Sequence, residues 1–416
     1  MKRPEYFTEM MGRLYNDDYG DPSETRRKMG RTVTFQITED CNLRCSYCYQ
    51  GAKTGRKMTL ETGKRIVDMI LEEDEKTRDY MPFRECAGVA LDFIGGEPLL
   101  EVELIDGIMD YFVERAFELE HPLATRYMIS ISSNGTLYFT EKVQRFLKKW
   151  SKHLSFGVSV DGSKRLHDAC RVFPNGAGSY DVALAAALDY GRRYGAMESK
   201  MTIAPGNVAY VYEAVSEMLN NGYKEINLNC VYEEGWTIDH AKVLYEQLKQ
   251  VADRLIERNE EAFISMFDTW IGRPMPETDN QNWCGAGKML AIDAAGNFYP
   301  CTRFAAYSLR SKPAWVIGNV REGIDQNRLR PFLTLDRTTQ SPRECIDCEV
   351  ASGCAWCQGE NYDAAQTLTV YQRATAICLM HKARVRANNY YWNRLFRKLE
   401  LQEYEEQRRR TVNTVC

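Results

Sequence analysis

The sequence predicts an α/β fold, a partial (β/α)6 TIM-like barrel followed by a cysteine-rich module and a C-terminal helix. Strand-like and helix-like segments alternate six times over about 225 residues, which is typical of a parallel sheet wrapped by helices. The alternation stops near residue 260, and this favours a partial barrel over a complete one with eight units. Beyond about residue 274 the chain becomes rich in Cys, Gly and Pro, and its helical stretches become short.

The elements of the barrel follow from hydrophobic spacing. Val33, Phe35 and Ile37 alternate with polar residues and predict the first strand, and Thr59 is the expected N-cap of a helix that extends to about Glu73. The other predicted strands cover residues 89–94, 127–132, 156–160, 200–203 and 225–231, and the other predicted helices cover 102–119, 180–194, 208–219, 240–258 and 384–407. No Gly-x-Gly-x-x-Gly follows the first strand, so nothing indicates a dinucleotide-binding fold.

These elements divide the chain into five parts. We expect a lead-in at residues 1–30, the barrel at 31–260, a bridging region at 261–283, a cysteine-rich domain at 284–380, and a C-terminal helix and tail at 381–416.

The composition argues against two classes of partner. The chain has 54 Lys and Arg against 58 Asp and Glu, a net charge of −4, so neither nucleic acid nor an anionic membrane is expected as its main partner. No apolar stretch approaches the length of a membrane span, and the first residues lead into no hydrophobic signal core. We therefore expect a cytoplasmic protein.

The cysteine content is unusual for such a protein. The chain has 14 Cys, and because the cytosol keeps thiols reduced, clustered cysteines there indicate metal binding rather than disulfides. Ten of them occur at short spacings or as a later member of such a group: Cys41, Cys45, Cys48, Cys284, Cys301, Cys345, Cys348, Cys354, Cys357 and Cys378. The isolated cysteines, expected to be small buried side chains, are Cys86, Cys170, Cys230 and Cys416.

The first group, Cys41-x3-Cys45-x2-Cys48, follows the first predicted strand. Three thiolates on one loop can hold three corners of a cubane iron–sulfur cluster and leave the fourth iron open. Zinc is the alternative, although structural zinc sites need four ligands and normally use paired Cys-x2-Cys units. Taken alone, this group leaves both interpretations open.

Polar and glycine-rich segments follow the next three strands. Gly95-Gly96-Glu97-Pro98 follows the second strand, Ser133-Asn134-Gly135 the third, and Ser159-Val160-Asp161-Gly162 the fourth. Each segment alone is a common turn. Together they predict one ligand site, because active sites of parallel barrels form at the carboxyl ends of the strands. Asp161 and Arg171 could form a structural salt bridge or could contact a peptide substrate, and the sequence favours neither role.

Together these motifs resemble those of radical S-adenosylmethionine (radical SAM) enzymes over about residues 31–380. The resemblance implies a 4Fe–4S cluster held by Cys41, Cys45 and Cys48, whose open iron binds the methionine end of SAM. It implies reductive cleavage of SAM to a 5′-deoxyadenosyl radical that removes a hydrogen atom from the substrate. It also implies SAM contacts: Tyr47 with the adenine, Gly95, Gly96 and Glu97 with the methionine ammonium, and Ser133, Asn134 and Ser159 with the ribose and carboxylate.

The C-terminal cysteines resemble a SPASM domain, which carries two auxiliary 4Fe–4S clusters. The resemblance implies three 4Fe–4S clusters in all, the first auxiliary cluster with Cys284, Cys301 and Cys357 and the second with Cys345, Cys348, Cys354 and Cys378. Two residues separate Cys354 from Cys357, whereas three are usual. A zinc ribbon formed by the two Cys-x2-Cys pairs is the alternative, but it leaves Cys284, Cys301 and Cys378 without a role.

The residues around these cysteines distinguish between SPASM enzymes. Sulfatase maturases place an Asp directly after the cysteine that matches Cys301, and this chain has Thr302 there. Residues 281–288 and 353–359 resemble maturases of ribosomally synthesised precursor peptides with Cys-x-x-x repeats, which implies formation of thioether bonds. The expected partners are such a precursor and an electron donor such as flavodoxin or ferredoxin. Residues 1–30 are too few for the winged-helix recognition domain of some relatives.

Two other functions stay open at this point. One is a different radical reaction on peptides or proteins, such as carbon–carbon cross-linking or sulfatase maturation. The other is a non-catalytic iron–sulfur electron carrier or zinc-binding scaffold.

The two auxiliary clusters need eight ligands, and the C-terminal cysteines provide seven. Sulfatase-maturing relatives have an additional Cys between the positions of Cys284 and Cys301, and residues 285–300 contain none. We expect one iron of the first auxiliary cluster to be open, or capped by a weaker ligand such as water or Asp293, and the precursor's cysteine would bind it. The alternative is that one of the four isolated cysteines completes the site.

Overall fold

A computed structural model describes residues 30–413 except 52, 196, 234 and 283, so the predicted lead-in lies almost entirely outside the described residues. The six predicted barrel strands are confirmed, with shifts of one or two residues at their ends. They are β1 (Arg31–Thr38), β2 (Val89–Gly95), β3 (Tyr127–Ser133), β4 (Leu154–Val158), β5 (Glu198–Ile203) and β6 (Glu225–Cys230).

Strands β1 to β4 are parallel neighbours and carry one row of buried side chains across the sheet. Phe35 pairs in register with Phe93, Phe93 with Ile131, and Ile131 with Phe156. These four residues are at most 5% exposed, as expected for a parallel sheet covered by helices. The carboxyl ends of the four strands therefore lie along one edge, where the predicted ligand site falls.

The strand array is interrupted after β4. Strands β5 and β6 form a separate three-stranded sheet with β7 (Phe263–Ile264). Asp161, shortly after β4, spans the interruption because its Oδ1 accepts a hydrogen bond of 3.2 Å from the backbone N–H of Thr202 on β5.

The cysteine-rich module extends the barrel sheet on the opposite side. Strand β8 (Leu290–Ile292) pairs in parallel with β1, and β9 (Asn297–Tyr299), β10 (Gly318–Asn319) and β11 (Gly323–Ile324) continue it as antiparallel strands. The alternation of strands and helices thus ends near residue 260 as predicted, but the sheet itself continues through short strands of the cysteine-rich module. All three residues of β8 are buried, so the segment shows no alternation that would indicate a strand. The sheet and the hydrophobic core continue across residue 284.

Eight helices belong to the barrel region of the described chain, and Thr59 caps the first one because its hydroxyl accepts from Thr62 N–H at 3.1 Å. They are α1 (Leu60–Glu72), α2 (Glu75–Tyr80), α3 (Val102–Glu118), α4 (Glu141–Trp150), α5 (Lys164–Cys170), α6 (Tyr180–Tyr194), α7 (Val211–Asn220) and α8 (Ile238–Glu257). The sequence interpretation missed α2, α4 and α5, although the buried residues of α4 recur at helical spacing.

The C-terminal region consists of short helices followed by one long helix. The helices are α9 (Gln326–Thr334), α10 (Arg337–Gln340), α11 (Arg343–Ile346), α12 (Gln358–Ala364) and α13 (Cys378–Asn413). Helix α13 begins six residues before the predicted start at 384, and it packs along α8, where Arg394 Nη2 lies 2.9 Å from Glu257 Oε1. Among the helices of the described residues, none has an apolar stretch long enough to span a membrane.

Candidate functional site

The end of β2 lies directly against the loop that carries the first cysteine group. Gly96 N–H donates to Thr38 O at 2.9 Å, and Glu97 N–H donates to Asp40 O at 2.8 Å. A Cβ atom at Gly96 would lie 2.1 Å from Asp40 O and 2.8 Å from Cys41 Cβ. The second glycine of the Gly95-Gly96 pair is therefore needed for this approach, because any side chain would push the strand end away from the cysteine loop.

Glu97 joins the ends of β2 and β3. Its side chain is buried, and its carboxylate accepts hydrogen bonds from Ser133 Oγ at 2.7 Å, Asn134 N–H at 2.8 Å and Leu99 N–H at 3.1 Å. Burial raises the pKa of this carboxyl group, while the three donors act in the opposite direction. The predicted residues Glu97, Ser133 and Asn134 thus form one hydrogen-bonded group.

The three thiols of the cysteine loop lie near one another. The pKa of Cys45 is raised to about 11, mainly by burial; the Arg171 guanidinium opposes this rise, and the thiols of Cys48 and Cys41 contribute to it. Burial also raises the pKa of Cys41, whose Sγ accepts from Leu43 N–H at 3.4 Å. Lys53 Nζ donates to Cys48 Sγ at 3.3 Å. The loop therefore presents three thiols with a lysine ammonium beside them, next to the Glu97 group.

Tyr47 is held by the Asp161–Arg171 pair. Its hydroxyl donates to Asp161 Oδ2, which also accepts from Arg171 Nε at 2.8 Å, and Asp161 is fully buried. Burial raises the pKa of the Tyr47 hydroxyl, and the Asp161 carboxylate adds to this rise. Of the two roles left open for Asp161 and Arg171, the structure shows the salt bridge, and it shows that the pair positions Tyr47.

Ser159 follows β4, at the same edge of the sheet. Its backbone N–H donates to Ser133 O at 2.8 Å, so the ends of β3 and β4 are joined there. All the residues predicted to contact SAM therefore lie at the carboxyl edge of strands β2 to β4 or in the cysteine loop.

The first auxiliary cysteines also lie together. Burial raises the pKa of the Cys301 thiol, and the thiols of Cys284 and Cys357 raise it further. The pKa of Cys357 is raised by burial and by Cys284, and the Arg303 guanidinium opposes this rise. The structure thus brings together the three thiols that the SPASM resemblance assigns to the first auxiliary cluster.

Two of the isolated cysteines have other surroundings. Cys86 Sγ donates to Phe83 O at 3.2 Å and to Gly88 O at 3.3 Å, at the amino end of β2. Burial raises the pKa of Cys230 to about 12, and the charge that opposes this rise is the Arg384 guanidinium. Cys86 therefore lies away from the auxiliary sites, whereas Cys230 lies nearer to them, because its thiol raises the pKa of Tyr232 together with those of Cys357 and Cys284. Cys416 lies outside the described residues.

The second auxiliary cysteines form a separate group. Burial raises the pKa of Cys354, Arg373 lowers it, and the thiols of Cys378, Cys345 and Cys348 raise it further. Arg373 Nη2 donates to Cys354 Sγ at 3.2 Å. The four thiols assigned to the second auxiliary cluster are therefore neighbours of one another.

The donor chemistry of the three thiol groups fits 4Fe–4S clusters, which proteins hold with cysteine thiolates. Among the described residues, no three His, Cys, Asp or Glu side chains are grouped closely enough to hold a single metal ion. A cubane cluster distributes its cysteine ligands over four iron atoms, so these ligands lie farther apart than the ligands of a single ion. The absence of a single-ion site therefore does not argue against clusters at the three thiol groups.

The sequence interpretation missed the basic residues beside the thiols. Lys53 lies five residues after Cys48 and could have been noticed from its position. Arg303 and Arg373 approach Cys357 and Cys354 from distant parts of the chain, and no fixed spacing indicates these contacts.

Two curated proteins are similar to part of this chain. The antilisterial bacteriocin subtilosin biosynthesis protein AlbA of Bacillus subtilis is 22% identical over 277 residues, which cover 65% of this chain and 55% of AlbA. An uncharacterised protein of Methanocaldococcus jannaschii is 27% identical over 202 residues, which cover 48% of this chain and 62% of that protein. The chain thus spans less than two thirds of the length of either relative.

Two solved structures share the fold. Native anSMEcpe with bound AdoMet and Kp18Cys peptide has a TM-score of 0.62 at 16% identity, covering 88% of this chain and 98% of that chain. Streptococcus suis SuiB bound to precursor peptide SuiA has a TM-score of 0.52 at 14% identity, covering 89% and 87%.

The family model described as the radical SAM superfamily matches residues 35–248, more than half of the chain. The matched range contains the Cys41–Cys48 loop and every residue predicted to contact SAM. This chain therefore belongs to the radical SAM superfamily, an enzyme family that uses a 4Fe–4S cluster and SAM.

Proposed function

We propose that this enzyme installs thioether bonds, between a cysteine sulfur and a carbon atom, in a ribosomally synthesised Cys-containing precursor peptide. The observation that carries the proposal is the contact between the segment after Cys301 and the segment after Cys48. Gly51 N–H donates to Tyr307 O at 2.9 Å, and the Arg303 guanidinium lies 5.9 Å from the Tyr49 ring centroid. A peptide at the barrel mouth would therefore reach both the radical-forming site and the first auxiliary thiols.

Ten thiols would hold the three clusters in this proposal. Cys41, Cys45 and Cys48 would hold the cluster that binds SAM, and the two C-terminal groups would hold the auxiliary clusters. When bound, the first cluster and SAM would supply a 5′-deoxyadenosyl radical that removes a hydrogen atom from the peptide.

The residues around the first cysteine group would bind and orient SAM. Glu97 has three donors in place, and a carboxylate has about four lone-pair directions, so one position is left for the methionine ammonium. Gly95 and Gly96 keep the strand end close to the loop. Tyr47, positioned by Asp161, would contact the adenine, and Ser133, Asn134 and Ser159 would contact the ribose and carboxylate.

The first auxiliary group has a place for a thiol from the substrate. Cys284, Cys301 and Cys357 would leave one iron without a protein thiolate, and the precursor's cysteine is the natural ligand for it. The names of AlbA and of the SuiB complex, which refer to bacteriocin biosynthesis and to a precursor peptide, support a peptide substrate. Thr302, at the position of the sulfatase-maturase Asp, argues against sulfatase maturation.

Mass spectrometry of a Cys-repeat precursor tests the proposal. A synthetic peptide with Cys-x-x-x repeats would be incubated anaerobically with the reconstituted enzyme, SAM and dithionite, and dithionite would then be replaced by flavodoxin or ferredoxin as the electron donor. We expect a loss of two hydrogen atoms for each bond formed, together with the loss of one thiol that can be alkylated.

Each alternative gives a different result in the same experiment. Carbon–carbon cross-linking would remove two hydrogen atoms and leave every thiol open to alkylation, and sulfatase-type maturation would remove the sulfur itself. A non-catalytic electron carrier would form no 5′-deoxyadenosine. Any of these three results would contradict the thioether proposal, and a precursor with its Cys replaced by Ser serves as the control.

A further inference from the structure

Arg373 has a defined position against the second auxiliary group. Its Nη2 donates to Cys354 Sγ at 3.2 Å, and its Nη1 donates to Ser341 Oγ at 3.3 Å. The guanidinium carbon lies 4.2 Å from the centroid of the Trp356 ring, a cation–π contact. Three contacts in different directions therefore fix one N–H group of Arg373 on a thiol of this group.

The charge of Arg373 is not balanced by a nearby carboxylate. Among the described residues, no Asp or Glu oxygen lies within 4.0 Å of its guanidinium nitrogens. Arg303, the corresponding cation near the first auxiliary group, differs in this respect. Its Nη2 lies 2.7 Å from Glu233 Oε1 and 3.4 Å from Glu360 Oε2, so two carboxylates offset its charge.

Such a cation acts on the reduction of an iron–sulfur cluster in a defined direction. Reduction adds negative charge to the cluster, and a positive charge or an N–H···S hydrogen bond stabilises the reduced form more than the oxidised form. A guanidinium stays protonated throughout the accessible pH range, so this effect is permanent.

We infer that Arg373 raises the reduction potential of the cluster held by Cys345, Cys348, Cys354 and Cys378, and so makes this group the better electron acceptor of the two auxiliary groups. Arg373 is a positioning residue that acts through Cys354 and has no contact with the peptide in this inference. The inference rests on the proposed function for the presence of the cluster itself.

Redox titration followed by electron paramagnetic resonance tests the role of Arg373. The full chain, reconstituted anaerobically, would be compared with R373Q, R373M, R373K and the control R343Q. Arg343 belongs to the same module, but its side chain is 92% exposed, and its ion-pair partner among the described residues is Asp347, at 3.1 Å. We expect R373Q and R373M to lower the potential of one of three signals, R373K to restore most of it, and R343Q to leave all three unchanged.

Three results would overturn the inference. They are unchanged potentials in R373Q or R373M at full iron content, an equal shift in R343Q, or loss of iron in both neutral variants, which would assign Arg373 a structural role. Failure of the proposed function is separate: the wild-type protein would then hold about four irons instead of about twelve, or would leave the precursor peptide unmodified.

Discussion

Glu97 shows how one side chain organises the candidate site. It is a buried carboxylate that accepts from the ends of two strands, and its own backbone N–H donates to Asp40 beside Cys41. The side chain therefore links strand pairing to the position of the cysteine loop, in addition to its proposed contact with SAM.

We predict that Glu97→Gln weakens SAM binding by roughly tenfold or more, because a charge-assisted hydrogen bond contributes about 1.5–3 kcal/mol. The glutamine amide would also place a donor opposite one of the three present donors, which lowers stability by about 1–3 kcal/mol. Equilibrium binding of SAM measures the first effect.

The control is Glu101→Gln, which changes a partly exposed carboxylate paired with Lys57 at 3.4 Å. Equal SAM affinity in the two variants would exclude Glu97 from the site.

The Asp161–Arg171 pair gives a second prediction for single residues. Asp161→Asn leaves the guanidinium of Arg171 largely buried and without its carboxylate, at a cost of about 3–5 kcal/mol in unfolding free energy. Thermal unfolding of the reconstituted enzyme measures this loss. Glu61→Gln, which disrupts an exposed helix pair with Arg65, should cost less than about 0.5 kcal/mol. The structural role of the pair would be refuted by similar unfolding curves for the two variants.

Among the secondary-structure elements, the close approach of β2 to the cysteine loop is the feature most sensitive to substitution. We predict that Gly96→Ala displaces the loop, because the new methyl group would lie 2.1 Å from a backbone oxygen, and that the protein then loses about four irons per chain. The circular dichroism of the fold should stay near that of the wild type.

Gly157→Ala is the matched control for this prediction, since a Cβ atom at that position of β4 would meet no atom within 4 Å. It should keep its full iron content. Full iron content and normal SAM binding in Gly96→Ala would contradict the account of the Gly-Gly pair.

The sequence allowed the six barrel strands and most of the longer helices to be predicted, whereas α4 and most of the short elements were missed. Val33, Phe35 and Ile37 of β1 alternate over enough residues to identify the strand that contributes Phe35 to the buried row. Strand β8 has only Leu290, Ala291 and Ile292, all buried, and its pairing with β1 comes from tertiary packing that local pattern cannot show. For the same reason the sequence interpretation separated the C-terminal module from a sheet that it continues.

For the molecule as a whole, the sequence predicted which cysteines would be neighbours, because cluster ligands recur at spacings that a family resemblance identifies. The charges beside those thiols were not predictable in the same way. Arg303 reaches its position where the C-terminal module packs on the barrel, beside Glu233, and Arg373 is held by contacts within the module. Arg171 reaches Tyr47 through Asp161.

Iron content and SAM cleavage, measured together on the wild-type protein and on a variant with Cys41, Cys45 and Cys48 all changed to Ala, test the central claim most directly. The wild-type protein should hold about twelve irons per chain and form 5′-deoxyadenosine from SAM under dithionite, and the variant should hold about eight and form none. A wild-type protein with stoichiometric zinc and only about four irons, or a variant that still cleaves SAM, would contradict the account.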